Sequence, residues 1–511
     1  MNNTTGSKRK ILKNTMVLYV RVIATMLIAL YTSRVVLKAL GIEDYGLYNV
    51  VGGVVALFSF LKTSLASATQ RFMSYELGRA TDEADTNRVF CASVTTHIVL
   101  AIVIFLFCET LGLWFLNSQV NIPEGREFVA NVIYHFSVIS ICVSMLNVPF
   151  HACVISHEDM GFFAFVSILD ALLKLGIAIA IAQITSADRL IYYGFLIMLI
   201  TIVNQLIYNV FCRKSYSECH FRFRWDKTMI GRIFGFSSWT LLGQLAVMAS
   251  NHGASILVNM FYSVSANAAI GVAQQANHAI SGLVANFQTA YQPQITKAYA
   301  ANNHSYQKQL ILQASKVSYF LMFIVSLPVI FNIDDLLNLW LDKVPEYTSQ
   351  FCIYFMMASM LNAIGGPLWM SIFATGNIKQ YQIVTSLAYL SDIVIVYILF
   401  KMGFPPVTAV VVKVFVNAVL IFIRMIYCKN AISFFSVGEY VRCVLIPLLV
   451  CTILSVFVGY AAFYFAHSLL FKLGATLLTI VFSVVISFAI GLNRSEKNAI
   501  VKLIGNKIIK K

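Results

Sequence analysis

The sequence is poor in charged residues, which make up only 12% of its 511 residues. A soluble domain typically carries about 25%. Hydrophobic residues make up 59% of the chain, and the mean hydropathy is +0.78. Apolar runs of about 20 residues, long enough to cross a bilayer as a helix, repeat along its length. The composition therefore excludes a soluble globular protein and indicates a polytopic membrane protein.

The alternating polarity of barrel strands is also missing. Lipid accommodates helices or closed barrels, and barrel strands alternate polar and apolar residues over about 10 positions. Because the apolar runs show no such alternation, we expect an all-α fold. The first run, Val17–Leu37, contains Arg21 and Arg34 and lacks a small-residue cleavage site. It is therefore predicted to be the first span and not a signal peptide.

Motifs for catalysis and metal binding are absent too. The sequence has no GxSxG, no phosphate-binding glycine loop and no HExxH. Its ten cysteines include no CxxC pair and no Cys/His spacing suited to zinc. We therefore predict no catalytic residue, no metal and no cofactor, and we expect that the protein is not an enzyme.

Fourteen apolar segments are candidate spans. Their approximate limits are 14–37, 46–70, 89–116, 127–153, 161–184, 190–212, 233–262, 266–293, 309–333, 347–374, 381–402, 408–428, 441–467 and 473–492. The intervening loops and the two ends place 23 Lys and Arg on one side and six on the other. Cytoplasmic loops are enriched in these residues. We therefore expect both termini in the cytoplasm of a bacterial inner membrane, and the formal charge of +15 needs no nucleic acid to explain it.

An internal repeat divides the chain. "SMLN" occurs at Ser144–Asn147 and again at Ser359–Asn362, and a proline follows each copy, at Pro149 and Pro367. Other matches keep a spacing of 215 to 222 residues. Such a repeat predicts two six-helix lobes related by an axis along the membrane normal. The expected organisation is an N-terminal lobe (1–212), a cytoplasmic linker (213–232), a C-terminal lobe (233–428), and two extra helices with a basic tail (429–511).

Basic residues recur inside the apolar segments, where a charge costs several kcal/mol unless it has a partner or faces water. We predict a cationic, substrate-binding cavity between the lobes, lined by Arg21, Lys62, Lys174, Lys316, Arg34 and Lys413. For the shallower members, Arg34 and Lys413, snorkelling to the membrane surface is the alternative. The same alternative applies to Arg71 and Arg424. Such a cavity would select an anionic substrate.

Three further residues are candidates for ion coupling: Asp170, Asp392 and His97. Asp170 lies one helical turn from Lys174, so a structural ion pair is an equally good interpretation. Asp392 aligns with Lys174 in the repeat. His97 could titrate near neutral pH, and the alternative for a lone intramembrane His is a hydrogen-bonding role in helix packing.

The linker contains the run "HFRFRWDK" (His220–Lys227), in which basic and aromatic residues alternate. This pattern suits contact with anionic lipid headgroups. An ordinary linker that follows the positive-inside rule would also explain it.

The stretch "SRVVLKALGIEDYGLYNVV" (Ser33–Val51), the two-lobe repeat and the turn "ATGNIKQY" (Ala374–Tyr381) together resemble a known family. This family comprises the polysaccharide transporters of the multidrug/oligosaccharidyl-lipid/polysaccharide exporter superfamily, which are the O-antigen and capsule repeat-unit flippases of bacteria. The resemblance implies two six-helix lobes forming a V-shaped cavity. It also implies a polyprenyl-diphosphate-linked oligosaccharide as substrate, moved to the periplasmic leaflet.

The partners expected on this basis are the lipid-linked oligosaccharide, membrane lipid and other polysaccharide-assembly proteins. Two alternatives stay open from the sequence. One is a multidrug exporter of the same superfamily, and the other is a non-transporting scaffold for glycan assembly.

Overall fold

The structure is a computed structural model that describes residues 2–56, 59–79, 83–119, 122, 125–184, 188–223, 225–341, 343–466, 468–493 and 496–498. Every regular element in these ranges is helical. The all-α prediction is confirmed.

The chain divides into two compact units, Met1–Leu241 and Leu242–Lys511. The helices that begin in the first unit are α1 (Asn2–Ala56), α2 (Ser59–Arg79), α3 (Glu83–Phe107), α4 (Leu113–Gln119), α5 (Glu127–Ser156), α6 (Met160–Ala182), α7 (Arg189–Ser215) and α8 (Lys227–Phe261). A single π-helical turn, Cys108–Gly112, makes α3 and α4 continuous. The boundary between the units falls inside α8.

The second unit continues from α8. Its further helices are α9 (Val264–Ala300), α10 (His304–Phe331), α11 (Ile333–Trp340), α12 (Thr348–Thr375), α13 (Lys379–Lys401), α14 (Thr408–Ala431), α15 (Val437–Tyr440), α16 (Ile446–Tyr464) and α17 (Leu469–Ile486). A π-helical turn at Val441–Leu445 joins α15 to α16, and another at Ser487–Gly491 ends α17.

Within the described ranges, twelve helical segments are long and apolar enough to span a membrane. Two other long helices, α2 and α9, occupy predicted spans but are more polar. The reason is that both place polar side chains on cavity walls, including Lys62 of α2 and Asn277 and His278 of α9. Together with α2 and α9, the twelve apolar segments give fourteen long helices in the described ranges, which agrees with the prediction of a polytopic protein with about fourteen transmembrane helices. The criterion of length and hydropathy by itself identifies only twelve of them.

The first two predicted spans are separated more tightly than expected. The first span was expected to end near residue 37 and the second to begin near 46, and within α1 two helical stretches meet at a kink at Gly41, which lies between these limits. Gly41 has φ of 83°, which a residue without a Cβ adopts at little cost. The chain therefore changes direction at one residue and needs no loop.

The same packing scheme occurs in both units. In the first unit α5 packs against α2, α3 and α7, and in the second α12 packs against α9, α10 and α14. Pro149 lies inside α5 and Pro367 inside α12. The apolar core of the first unit includes Val129 and Ile133 of α5, while that of the second includes Phe351 of α12. In each unit this central helix presents one side to the core and another to a polar cavity.

Candidate functional site: one polar cavity in each unit

The first unit encloses a cavity of about 740 Å³ among α1, α2, α5, α6 and α7. Hydroxyl, amide and charged side chains occupy much of its wall. The members used below are Lys62, Asn147, His151, Asp170, Lys174 and Asn204. A polar cavity inside an apolar helical bundle is a binding-site candidate, because lipid and packing would otherwise favour an apolar interior.

The carboxylate of Asp170 is fully engaged within this cavity. The Lys174 ammonium donates to Asp170 Oδ2 at 2.8 Å, and the Asn204 amide donates to Oδ1 at 2.7 Å. The ion pair was one of the two interpretations that the helical spacing of Asp170 and Lys174 left open. Their charges cancel, so the pair contributes fixed dipoles and little net charge to the wall.

Lys62 is different, because no carboxylate lies within ion-pair distance of it in the described part of the chain. Its side chain is partly buried and extends from α2 into the cavity. Since the Asp170–Lys174 pair is neutral, Lys62 leaves this wall with a net positive charge. That charge can attract an anionic group from a ligand.

Arg21 lies behind this wall and is not among the residues that line the cavity. Its guanidinium lies over the Phe163 ring at 4.5 Å, a cation–π contact. Phe163 in turn packs edge-on against the His151 ring, with 5.0 Å between the centroids. His151 lines the cavity, so Arg21 supports the site through two aromatic rings.

The second unit has a cavity of about 650 Å³ among α8, α9, α10, α12, α13 and α14. Asp392 is buried there and accepts a hydrogen bond of 2.5 Å from the Ser250 hydroxyl. Lys413 lines the same cavity and donates to Asn251 Oδ1 at 2.6 Å. This cavity thus brings together one carboxylate and one lysine ammonium group, each hydrogen-bonded to a side chain of α8.

The sequence repeat coincides with the two cavities. Ser144 and Asn147 line the first cavity, and their repeat partners Ser359 and Asn362 line the second. Lys174 lines the first cavity, and its repeat partner Asp392 lines the second. The repeat therefore preserves cavity positions as well as packing.

Besides Arg21, three predicted site residues lie outside the cavity walls. Lys316 is fully buried and forms a 2.5 Å ion pair with Glu496, so it lines neither cavity. Arg34 is exposed on α1. His97 is fully buried, with its Nδ1 2.7 Å from the Ser93 carbonyl oxygen, and it also lines neither cavity. Lys316 and His97 are thus buried against their own partners, and Arg34 lies at an exposed position of α1 that is not part of either cavity wall.

Sequence reasoning missed the role of Arg424, for which snorkelling to the surface was an alternative. The side chain is instead buried, and its guanidinium donates to Asn362 at 3.2 Å and to the Tyr389 hydroxyl at 3.4 Å. Both acceptors line the second cavity. The sequence feature that could have indicated this role is the repeated Asn of "SMLN", which offers a carbonyl oxygen inside the bundle.

Within the described ranges, no cluster of His, Cys, Asp or Glu is placed to hold a metal ion.

The sequence matches the family described as "Polysaccharide biosynthesis protein" over residues 11–299, more than half of the chain. The chain belongs to this family. No curated protein matches it in sequence.

Several solved structures share the fold of this family member. A MATE protein in the bent conformation has a TM-score of 0.73 at 14% identity, and an outward-facing multidrug resistance MATE family transporter of the MOP superfamily has 0.70 at 14%. A MOP superfamily transporter from Pyrococcus furiosus has 0.68 at 14%. Each alignment covers 84% of this chain and 96% of the other. Family and fold together make this protein a polytopic member of the polysaccharide biosynthesis family, with twelve candidate membrane spans in its described ranges and the fold seen in MATE and MOP superfamily transporters.

Proposed function

We propose that this transporter moves a polyprenyl-diphosphate-linked oligosaccharide from the cytoplasmic to the periplasmic leaflet by alternating access. The observation that carries the proposal is Lys62, a cation without a carboxylate partner in the described part of the chain, on the wall of a polar cavity. A diphosphate is multiply anionic and can supply the missing counter-charge. Membership of the polysaccharide biosynthesis family supports a glycan cargo.

The other cavity groups fit the sugar part of such a cargo. The Asn147 and Asn204 side-chain oxygens are buried without a hydrogen-bond partner among the described residues, and sugar hydroxyls can donate to them. In the second cavity Lys413 is the cation we assign to the substrate. Asp170 and Asp392 remain candidates for ion coupling, although outward movement of an anion would already gain about 2.3 kcal/mol per charge per 100 mV from the membrane potential.

The two alternative functions differ from this proposal in the charge of the substrate that would bind and in whether a substrate is moved. A multidrug exporter of the same fold would typically bind cations, and the uncompensated Lys62 opposes that. In the Pyrococcus furiosus transporter, reverse polarity of the binding pocket suggests a different function, so pocket charge varies within this fold. A scaffold for glycan assembly would keep the fold without moving a substrate.

A vesicle assay tests the function directly. Purified protein is reconstituted in liposomes that carry a fluorescent polyprenyl-diphosphate oligosaccharide, and an impermeant glycosidase reports the sugar that reaches the outer leaflet. We expect protein-dependent exposure of the sugar and no increase in drug resistance in cells. Drug export without sugar exposure would indicate the multidrug alternative, and sugar binding without exposure would indicate the scaffold.

We also propose that both termini lie in the cytoplasm of the bacterial inner membrane. A cysteine introduced at Asn303, which is exposed between α9 and α10, should stay shielded from an impermeant thiol reagent in intact cells. One introduced at Asn338, exposed on α11, should be labelled. The unaltered protein, whose described cysteines are buried or partly buried, is the control. The reverse labelling pattern would overturn the orientation.

A further inference from the structure

The segment between α7 and α8, together with the first residue of α8, is held against the helix ends of the first unit; we call these residues, 216–227, the strap. Arg224 lies outside the described residues. The Asn87 side chain of α3 donates to the Glu218 carbonyl at 2.7 Å and to the His220 carbonyl at 3.0 Å. Asp226 pairs with Arg88 of the same helix. The strap therefore keeps a fixed side toward α3.

The acidic side chains of the strap both point inward. Glu218 is buried and lies 2.5 Å from the His157 ring nitrogen at the end of α5. Burial raises the pKa of Glu218, but the hydrogen bond with His157, a backbone hydrogen bond and the electrostatic interaction with His157 together outweigh this, and the pKa falls below its usual value. The hydrogen bond from Arg88 lowers the pKa of Asp226 to about 2. Both acids stay ionised at neutral pH, and each is hydrogen-bonded to a side chain of the first unit.

The outward side of the strap is consequently cationic and aromatic. Phe223 is 72% exposed and Trp225 is 54% exposed. Arg222 and Lys227, on either side of these aromatics, are exposed as well. No described acidic side chain of the strap shares this outward side. Large aromatic side chains flanked by cations are the composition found where proteins meet lipid headgroups.

The position of the strap fits this composition. It bonds to Arg88 within the first turns of α3 and to His157 directly after α5, both at the ends of membrane-spanning helices. Those ends lie near the level of the headgroups when the helices cross the bilayer. We propose that the strap binds anionic phospholipid headgroups, with Arg222 and Lys227 contacting phosphate and Phe223 and Trp225 entering the interface. This role is independent of the transported substrate.

The test uses the full chain in phosphatidylcholine vesicles that contain brominated phosphatidylglycerol or, at equal mole fraction, brominated phosphatidylcholine. Bromine quenches nearby tryptophan, and subtracting the emission of Trp225→Phe isolates the signal of Trp225. We expect the anionic lipid to quench Trp225 at least about twofold more strongly, because the cations enrich it around the strap. Salt that shortens the Debye length to about 3 Å should abolish the difference.

The double variant Arg222→Gln/Lys227→Gln should bring the two lipids to equal quenching. Lys38→Gln, which removes an exposed charge of α1 close to its kink, should keep the preference. Phe223→Trp/Trp225→Phe supplies a second reporter on the same side of the strap. Equal quenching by both lipids in the unaltered protein, or quenching by neither, would overturn the proposal.

Discussion

We expect Lys62→Gln to lower surface glycan about tenfold or more while the amount of protein in the membrane stays the same. Lys62 has no carboxylate partner in the described chain, so its loss leaves no buried acid unpaired and the fold should tolerate it. A contact between a charged group and its hydrogen-bond partner contributes about 2 kcal/mol, equivalent to about thirtyfold in affinity. The measurement is surface glycan per unit of protein in cells that lack another copy of this protein.

Two matched variants separate charge from shape. Lys62→Arg keeps the cation and should retain a substantial part of the activity. Asp170→Asn should reduce surface glycan less than Lys62→Gln does. The charge of Asp170 is already compensated by Lys174, and its other oxygen accepts a hydrogen bond from Asn204. If Asp170→Asn and Asp392→Asn abolish glycan display while Lys62→Gln is near normal, a carboxylate-coupled antiporter replaces the anion-binding mechanism.

The sequence predicted the parts of the site that depend on local spacing. Asp170 and Lys174 are one turn apart on α6, and helix geometry alone brings them to 2.8 Å. The "SMLN" repeat placed Asn147 and Asn362 at equivalent positions, and both line cavities. Hydropathy identified the helices because lipid requires long apolar segments with internally satisfied backbones.

Contacts between residues distant in sequence could not be predicted in this way. Arg126 reaches both Asp44 and Asp188, 82 and 62 residues away, although nothing in the local sequence distinguishes it from an ordinary loop charge. Depth in a span also does not tell which side of the helix a lysine occupies. Lys62 and Lys316 were both predicted to be deep, yet Lys62 faces a cavity and Lys316 a carboxylate 180 residues further along the chain.

The pair of Lys316 and Glu496 leads to a second large effect, on stability. Lys316 on α10 is fully buried. Glu496 follows the last helix and also accepts a hydrogen bond of 2.7 Å from the backbone N–H of Asn493. Removing one partner of a buried ion pair costs about 3–5 kcal/mol, because the remaining charge stays buried without compensation. We therefore expect Glu496→Gln to lower the thermal stability of the detergent-purified protein strongly, measured as the fraction that stays monodisperse after heating.

The double variant Lys316→Met/Glu496→Gln distinguishes an unpaired charge from a general loss of packing. It removes both charges, so its stability should return most of the way to that of the unaltered protein. Asp335→Asn is the matched control, because Asp335 pairs with Lys472 at 2.6 Å but both side chains are well exposed. An exposed pair contributes about 0–1 kcal/mol, so this variant should change stability little. If Glu496→Gln is as stable as Asp335→Asn, the buried pair does not hold the C-terminal segment to α10. If the double variant is no more stable than Glu496→Gln, packing and not charge compensation is the reason for the loss.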